Sequence, residues 1–223
     1  MAVTVAFDVY GTLIDTHAVV RRLKDWVGDR AGEFSQAWRD KQLEYSFRRG
    51  LMGRYEDFAV CTRQALDYTC DYLRLPLSDS QKADLIELYR VLPAFDDVED
   101  GLADLDARGL GLYAFSNGSA AAVEALLVTA GIRERFAGVV SVEGTRTFKP
   151  DPAVYAHFLE QTGSRPGDAW LVSSNPFDVI GAVEAGMRAA WVRRSRQAIF
   201  DPWGIEPTAT VGGLAGLGKV IGA

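Results

Sequence analysis

The stretch AFDVYGTLID, residues 6–15, places a carboxylate where a short apolar run ends. Asp8 follows the strand-like residues TVAF, and Gly11 allows the chain to turn tightly behind it. A carboxylate at such a position can act as a nucleophile, because an ester intermediate divides one difficult substitution into two easier steps. Thr12 can anchor the loop or a bound anion. The stretch therefore predicts a nucleophilic aspartate at the end of the first strand.

Small polar or charged residues also follow the later strand-like runs. Because ligands bind beyond the carboxyl ends of parallel strands, these residues are expected to meet near Asp8. Lys149 precedes Pro150, which favours an extended backbone at the lysine, and its ammonium could offset the charge of Asp8. Ordinary loop polarity and a solvated lysine are the alternatives. The candidates from these strand ends are Ser116, Asn117, Lys149, Ser173, Ser174, Asn175 and Asp178.

The elements that must position these residues alternate along the chain. Five strand-like runs separated by helix-like segments predict an α/β fold: a Rossmann-like parallel sheet core with helices on both faces. Residues 17–92 instead have apolar residues three and four apart throughout, which predicts an inserted helical-bundle cap subdomain. Ser78 and Gln81 predict a capping box within it. The strand-like runs are residues 4–7, 111–115, 138–142, 169–174 and 189–193; the core is expected at 1–15 and 94–223, and the cap at 16–93.

Composition limits the classes of partner. The chain has 223 residues, 48% of them hydrophobic, and a net charge of −6, with basic residues scattered apart from short clusters such as Arg193-Arg194. A nucleic-acid partner is therefore not expected, and an anionic substrate would need a local cation. Without a long apolar run or a basic N-terminal start, we expect a cytoplasmic protein with no membrane partner. Cys61 and Cys70 are expected to be free thiols.

The ordered motifs D-x-x-G-T, S-N, K-P and S-S-N-x-x-D resemble the haloacid dehalogenase superfamily. FDVYGTL, WRDKQLEYSF, FSNGS, FKPDPAVY and VSSNPFD together are similar to its L-2-haloacid dehalogenases, over residues 4 to about 195. The resemblance implies hydrolysis of L-2-haloalkanoic acids to D-2-hydroxy acids through an aspartyl ester. It also implies no cofactor or metal ion, a small 2-haloacid and a halide ion as ligands, and a homodimer.

Tyr10 distinguishes dehalogenation from the phosphatase chemistry of the same superfamily. Phosphatases of the superfamily carry an aspartate two residues after the nucleophile as a general acid for an alkoxide, whereas a departing halide needs no proton. They also use acidic residues in the fourth motif to hold Mg²⁺, and here that motif has the single acid Asp178. A Mg²⁺-dependent phosphatase and a catalytically silent binding module are the alternatives.

The resemblance assigns most roles around the substrate. Arg39 and Asn117 match residues that hold the departing halide, together with Phe177, where relatives often carry tryptophan. For Arg39 the alternative is a surface ion pair with Asp40 or Glu44. The expected apolar wall around the alkyl group consists of Tyr10, Leu43 and Phe58.

The resemblance implies that the remaining matched residues bind the substrate carboxylate, hold Asp8 and Lys149 in place, and activate the water that hydrolyses the ester. Ser116 is expected to bind the substrate carboxylate, and Asp178 to position and activate the hydrolytic water. Thr12 and Tyr155 are expected to hold Asp8 and Lys149 in register, with Tyr155 counted among the substrate-binding residues. Lys149, Ser173 and Asn175 are expected to assist Asp178.

Other apparent motifs carry little weight. GGLAGLGK, residues 212–219, fits G-x-x-x-x-G-K, but Val220 stands where a P-loop needs Ser or Thr and no buried strand clearly precedes it, so we expect a C-terminal helix. His17 and His157 lack cysteine partners at zinc-ligand spacing. No G-x-S-x-G elbow occurs.

Overall fold

A computed structural model describes residues 3–221 and contains one six-stranded parallel sheet. The strand order is β3-β2-β1-β4-β5-β6, so the chain reverses its direction of travel across the sheet at β1. All four residues of β1 are buried, as expected for a central strand rich in β-branched and aromatic residues. The strands are β1 Thr4–Phe7, β2 Gly111–Ser116, β3 Gly138–Ser141, β4 Ala169–Ser173, β5 Arg188–Val192 and β6 Ala209–Val211.

Helices cover both faces of this sheet, as predicted. Val5 and Phe7 pack with residues of α5 Val98–Ala107 and α6 Ala120–Thr129 on one face. Ala6 packs on the other face with residues of α7 Pro152–Thr162 and α8 Pro176–Glu184. The alternation of neighbouring side chains in β1 thus divides the apolar interior into two layers.

Four helices lie between the first strand and α5: α1 Ala18–Val27, α2 Ala31–Leu51, α3 Phe58–Leu73 and α4 Asp79–Leu88. The buried Trp38 of α2 ties this bundle together, since its indole donates to the carbonyl of Thr62 in α3 at 2.9 Å. The predicted capping box of Ser78 and Gln81 is present. The helical character of the insertion is confirmed, whereas the boundaries at 15/16 and 93/94 remain predictions.

The segment that leads from the loop after β1 into this bundle pairs with the segment that leads back out of it. The amide of Asp15 donates to the carbonyl of Pro93 at 2.8 Å, and the amide of Phe95 donates to Leu13 at 2.9 Å. Ile14 and Ala94 form an antiparallel bridge between these two bonds. The outgoing and returning segments therefore lie side by side next to the loop that follows β1.

The C-terminal part differs from the expectation. Strand β6 directly precedes the glycine-rich stretch, and it escaped sequence analysis because it is three residues long and none of them is buried. The stretch itself begins with a 3₁₀ turn, Leu214–Gly216, and the expected C-terminal helix is limited to the single turn α9 Gly218–Ile221. Residues 1, 2, 222 and 223 of the expected core segments lie outside the described residues.

Two further expectations concern the cysteines and the helices. Cys61 and Cys70 are both in α3, buried and free, as predicted. Between residues 3 and 221, no helix is long and apolar enough to cross a membrane.

Candidate active site

Asp8 lies at the carboxyl end of β1, where the strand order reverses. Its backbone amide continues the hydrogen bonding between β1 and β4 by donating to the carbonyl of Val172 at 3.0 Å. The chain then turns at Gly11, whose φ of 84° is in the left-handed region that favours glycine. The turn leaves the carboxylate 8% exposed, at the crevice where open α/β sheets bind ligands.

One oxygen of Asp8 receives three hydrogen bonds. The hydroxyl of Thr12 and the amide Nδ2 of Asn175 donate to Oδ2, each at 2.7 Å, and the hydroxyl of Ser173 donates to it at 3.2 Å. The other oxygen, Oδ1, lies 3.5 Å from the ammonium of Lys149. The carboxylate is therefore fixed through one oxygen, while Oδ1 keeps lone pairs available for a reaction.

Lys149 is buried between two carboxylates. Its Nζ donates to Asp178 Oδ2 at 2.8 Å and to the carbonyl of Phe115 at 2.9 Å, and it lies over the Phe115 ring. Its backbone amide donates to Asn117 Oδ1 at 2.9 Å. The peptide bond to Pro150 is cis. The solvated-lysine alternative is therefore wrong, since Lys149 is 1% exposed and is held against Asp8.

Asp178 lies one layer deeper, in the first turn of α8, and is fully buried. Its Oδ1 accepts a 2.8 Å hydrogen bond from the hydroxyl of Tyr155. Burial raises the pKa of Asp178, and the neighbouring Lys149 charge opposes this rise. Burial also raises the pKa of Tyr155 well above its ordinary value, so the phenol stays a donor.

A small cavity opens in front of Asp8 between the core and the helical insertion. Its volume is about 20 Å³, which has room for about one water molecule. Helices α2 and α3 supply three of its lining residues and the core supplies the others. All ten were predicted from the sequence: Asp8, Tyr10, Arg39, Leu43, Phe58, Ser116, Asn117, Lys149, Asn175 and Phe177.

The other four predicted residues lie behind this lining. Thr12 and Ser173 contact Asp8 from its far side, and Asp178 is separated from the cavity by Lys149. Tyr155 is buried beyond Asp178 and contacts its carboxylate, so the structure does not place it where a substrate would bind. Tyr155 therefore contacts Asp178, which is the ion-pair partner of Lys149, and not Lys149 itself.

Arg39 brings a cation into the cavity from α2. Its guanidinium donates to the carbonyl of Tyr10 at 3.4 Å. The alternative of a surface pair is wrong: Glu44 pairs with Lys41 and Arg48, and Arg39 forms no ion pair within the described part of the chain. Although the chain is acidic overall, Arg39 and Lys149 bring two cationic groups to this cavity beside the carboxylate of Asp8.

Tyr10 and Phe177 form apolar walls of the cavity. Burial raises the pKa of Tyr10 to about 12, so its phenol is neutral near pH 7. Phe177 packs edge to face on Phe47, with ring centroids 5.1 Å apart. It also lines a wider apolar groove of about 900 Å³. Phe177 thus separates the cavity from the groove.

Two residues contact the loop that follows β1 without having been given a role in the site from the sequence. Ser174 donates its amide to Thr12 Oγ1 and its hydroxyl to the carbonyl of Gly11, both at 2.8 Å. Arg194 donates to the carbonyl of Thr12. Ser174 was among the polar residues expected at the end of the fourth strand, whereas Arg194 looks like half of an ordinary basic pair in the sequence.

Within residues 3–221, no group of three or more His, Cys, Asp or Glu side chains is arranged to hold a metal ion. The acids at the cavity are Asp8 and, behind it, Asp178, and the Lys149 ammonium lies between them.

Comparisons with known proteins agree with the resemblance. A family model described as haloacid dehalogenase-like hydrolase matches residues 3–186. An (S)-2-haloacid dehalogenase of Pseudomonas sp. (strain YL) is 38% identical over 203 residues, covering 91% of this chain and 87% of the relative. One from Xanthobacter autotrophicus is 41% identical over 197 residues, covering 88% and 77%.

A solved structure is also similar over the full length. It is the L-2-haloacid dehalogenase from Xanthobacter autotrophicus with chloropropionic acid covalently bound, which aligns with a TM-score of 0.92 at 35% identity and covers 100% of this chain and 99% of that one. The chain therefore belongs to the haloacid dehalogenase-like hydrolases and, among them, to the L-2-haloacid dehalogenases.

Proposed function

We propose that this enzyme hydrolyses L-2-haloalkanoic acids to D-2-hydroxy acids through an ester on Asp8, without a metal ion. The proposal rests on a difference in hydrogen bonding between the two Asp8 oxygens. Three side chains donate hydrogen bonds to Oδ2, while Oδ1 keeps lone pairs available at the cavity. The covalently bound chloropropionic acid in the similar Xanthobacter structure supports a covalent step.

In the first half-reaction, Oδ1 attacks C2 of the substrate in line with the carbon–halogen bond. The new C–O bond forms as the halide leaves with the bonding electrons, so the carbon is inverted. Arg39 and the Asn117 amide, whose Oδ1 is occupied by the Lys149 amide, receive the halide beside Phe177. The Ser116 hydroxyl, which already accepts from Gly118, donates to the substrate carboxylate.

A halide leaves without a proton, so this step needs no general acid beside Asp8. Tyr10 agrees with that requirement, because a phenol with a pKa of about 12 is a weak acid near pH 7. It serves with Leu43 and Phe58 as the wall around the alkyl group.

In the second half-reaction, water attacks the ester carbon of Asp8. Negative charge then develops on Oδ2, at the point where Thr12, Ser173 and Asn175 donate, so the same three donors stabilise the tetrahedral intermediate. Lys149 passes a proton of the water to Asp178, whose pKa burial raises. The 2-hydroxy acid leaves with Oδ1 and takes one proton of the water on that oxygen, while the other proton passes to solvent as Asp8 becomes a carboxylate again.

Charge compensation at this site comes from Lys149 in place of a divalent cation. Its ammonium lies 3.5 Å from Asp8 and 2.8 Å from Asp178, in the space between the carboxylates. Because the cavity has room for about one water molecule, a bound 2-haloacid needs more space than this arrangement provides, and an outward movement of α2 and α3 would supply it. A homodimer remains a prediction from the family resemblance, and a cytoplasmic location remains a prediction from the composition of the sequence.

The test measures halide release from L- and D-2-chloropropionate, with and without EDTA. Release from the L form alone, unchanged by EDTA and abolished in Asp8→Asn, is the expected result. EDTA-sensitive cleavage of a phosphate ester without halide release would replace the proposal with a Mg²⁺-dependent phosphatase. Inactivity toward both kinds of substrate would favour a binding module.

A single-turnover reaction in ¹⁸O-labelled water tests the ester. With enzyme in excess, the hydroxyl oxygen of the product comes from Asp8 and carries no label. A labelled product hydroxyl would mean that water attacks C2 directly and would contradict the covalent step.

A further inference from the structure

Arg194, directly beyond β5, reaches back to the loop that carries the nucleophile. Its Nε and Nη2 both donate to the carbonyl of Thr12, at 3.2 and 2.6 Å. Its Nη1 donates to Asp97 Oδ1 at 2.6 Å, and the guanidinium lies over the Phe95 ring, 4.2 Å from its centroid. The side chain is 14% exposed, so these contacts are largely shielded from solvent.

The glycine-rich stretch near the C-terminus holds the other end of this contact. The amide of Leu214 donates to Asp97 Oδ2 at 2.7 Å. A Cβ on Gly213 would lie 2.4 Å from that same oxygen, so a larger residue there would push the Asp97 carboxylate out of its present position. Asp97 is thus fixed through both oxygens, and it orients Arg194. This gives part of GGLAGLGK a use that has nothing to do with phosphate.

Thr12 connects Arg194 to the reacting carboxylate. With its carbonyl held by Arg194, Thr12 receives the amide of Ser174 on Oγ1 and donates from Oγ1 to Asp8 Oδ2 at 2.7 Å. The position of the hydroxyl therefore depends on where the Thr12 backbone is held. Among residues 3–221, Thr12 is one of three donors to Oδ2, so a shift of its backbone changes the direction in which Oδ1 points.

We propose that Arg194 is a positioning residue for the Asp8 reaction and acts through the Thr12 carbonyl, with Asp97 and Gly213 holding it in place. The inference rests on the proposed function. Misplacement of a reacting group by about 1 Å can lower a rate by about a hundredfold. Without Arg194 the Thr12 turn remains linked to Val9 and Ser174, so we expect a smaller shift and a loss of about 10- to 100-fold in kcat.

The neighbouring Arg193 provides a matched control. It also donates to backbone carbonyls, those of Ala198 and Arg196, but it makes no contact with the nucleophile loop. Halide release from L-2-chloropropionate is measured for Arg194→Met and Arg193→Met below their melting temperatures. We expect kcat to fall about 10- to 100-fold with KM within threefold in the first variant, and both constants to stay within twofold in the second.

A double-variant comparison separates positioning from general stability. Thr12→Val removes the hydroxyl through which Arg194 acts, so adding Arg194→Met to it should lower kcat by less than about threefold more. Losses that multiply, or a kcat for Arg194→Met within threefold of the wild type, overturn the inference. If Arg194→Met does not fold, Asp97→Asn tests the same contact, with an expected three- to tenfold loss in kcat and a wild-type kcat as the contrary result.

The outcome is distinguishable from failure of the proposed function. A wild-type enzyme that releases no halide from L-2-chloropropionate overturns the proposed function together with this inference. If the wild type releases halide and Arg194→Met releases it at the same rate, the inference alone is overturned.

Discussion

Replacement of Lys149 by methionine is expected to destabilise the protein strongly and in a pH-dependent way. The side chain is 1% exposed and lies 2.8 Å from Asp178 and 3.5 Å from Asp8. At an effective dielectric constant of about 20, two unit charges 2.8 Å apart attract by about 6 kcal/mol. Desolvation offsets part of this, and removing one partner of a buried pair costs about 3–5 kcal/mol. We therefore expect the free energy of unfolding to fall by about 3–5 kcal/mol at pH 7.5.

The sign of the pH dependence follows from Asp178. Burial raises the pKa of this carboxyl in the folded protein, and loss of the Lys149 charge raises it further. A carboxyl whose pKa is higher in the folded than in the unfolded chain loses stability as the pH rises through the folded pKa. Protonation on acidification therefore favours the folded variant, and its deficit should be smaller at pH 5 than at pH 7.5.

The assay is urea unfolding of the wild type and the variants at both pH values. Lys149→Met/Asp178→Asn should recover at least half of the loss, because no buried charge on Asp178 is left unpaired. Lys82→Met is the control: Lys82 pairs with Asp67 at 2.6 Å on the surface, and its loss should cost less than about 1 kcal/mol. Equal stability of Lys149→Met and the wild type, or no recovery in the double variant, would refute the reasoning.

Three further predictions concern single side chains. Gly181→Ala places a Cβ 2.4 Å from the Tyr155 hydroxyl and should lower the rate of halide release more than tenfold, whereas Gly167→Ala, with open space around it, should leave that rate unchanged. Tyr10→Phe should keep halide release within threefold from pH 6 to 9, because a phenol with a pKa of about 12 stays protonated there; a tenfold fall would give the hydroxyl a role. Ser78→Ala removes the capping box of α4 and should cost about 1 kcal/mol. In a thermal melt this lowers Tm by about 2–4 °C, and an unchanged Tm would contradict it.

The parts of the fold that sequence analysis predicted have strong local patterns. β1 and β4 are continuous buried runs, and α2 and α3 repeat apolar residues at helical spacing, so their type could be assigned from short windows. β6 could not, because a three-residue edge strand with partial burial resembles a loop. Its position depends on pairing with β5, which is a contact between distant segments.

The same distinction applies to the site. Asp8 and Lys149 could be predicted because strand ends and family motifs mark them. Gly181 and Arg194 have no such marker. Gly181 matters because the Tyr155 hydroxyl approaches its Cα closely, and Arg194 matters because folding brings it to Thr12, 182 positions earlier in the chain. Such contacts depend on how the elements pack.

The segments that enter and leave the helical insertion lie side by side, and this pairing bears on how the substrate range of such a protein could change. Because the Asp15 amide bonds directly to the Pro93 carbonyl, the insertion leaves and rejoins the core at one point. The entropy of closing a loop rises slowly with its length, so a replacement segment of different size could be accommodated there without stretching β1. Such an exchange would replace Arg39, Leu43 and Phe58 while leaving the hydrogen bonds to Asp8 intact. Under the proposed function, the range of substrates could therefore change by exchange of one contiguous segment, while the carboxylate of Asp8 stays the same.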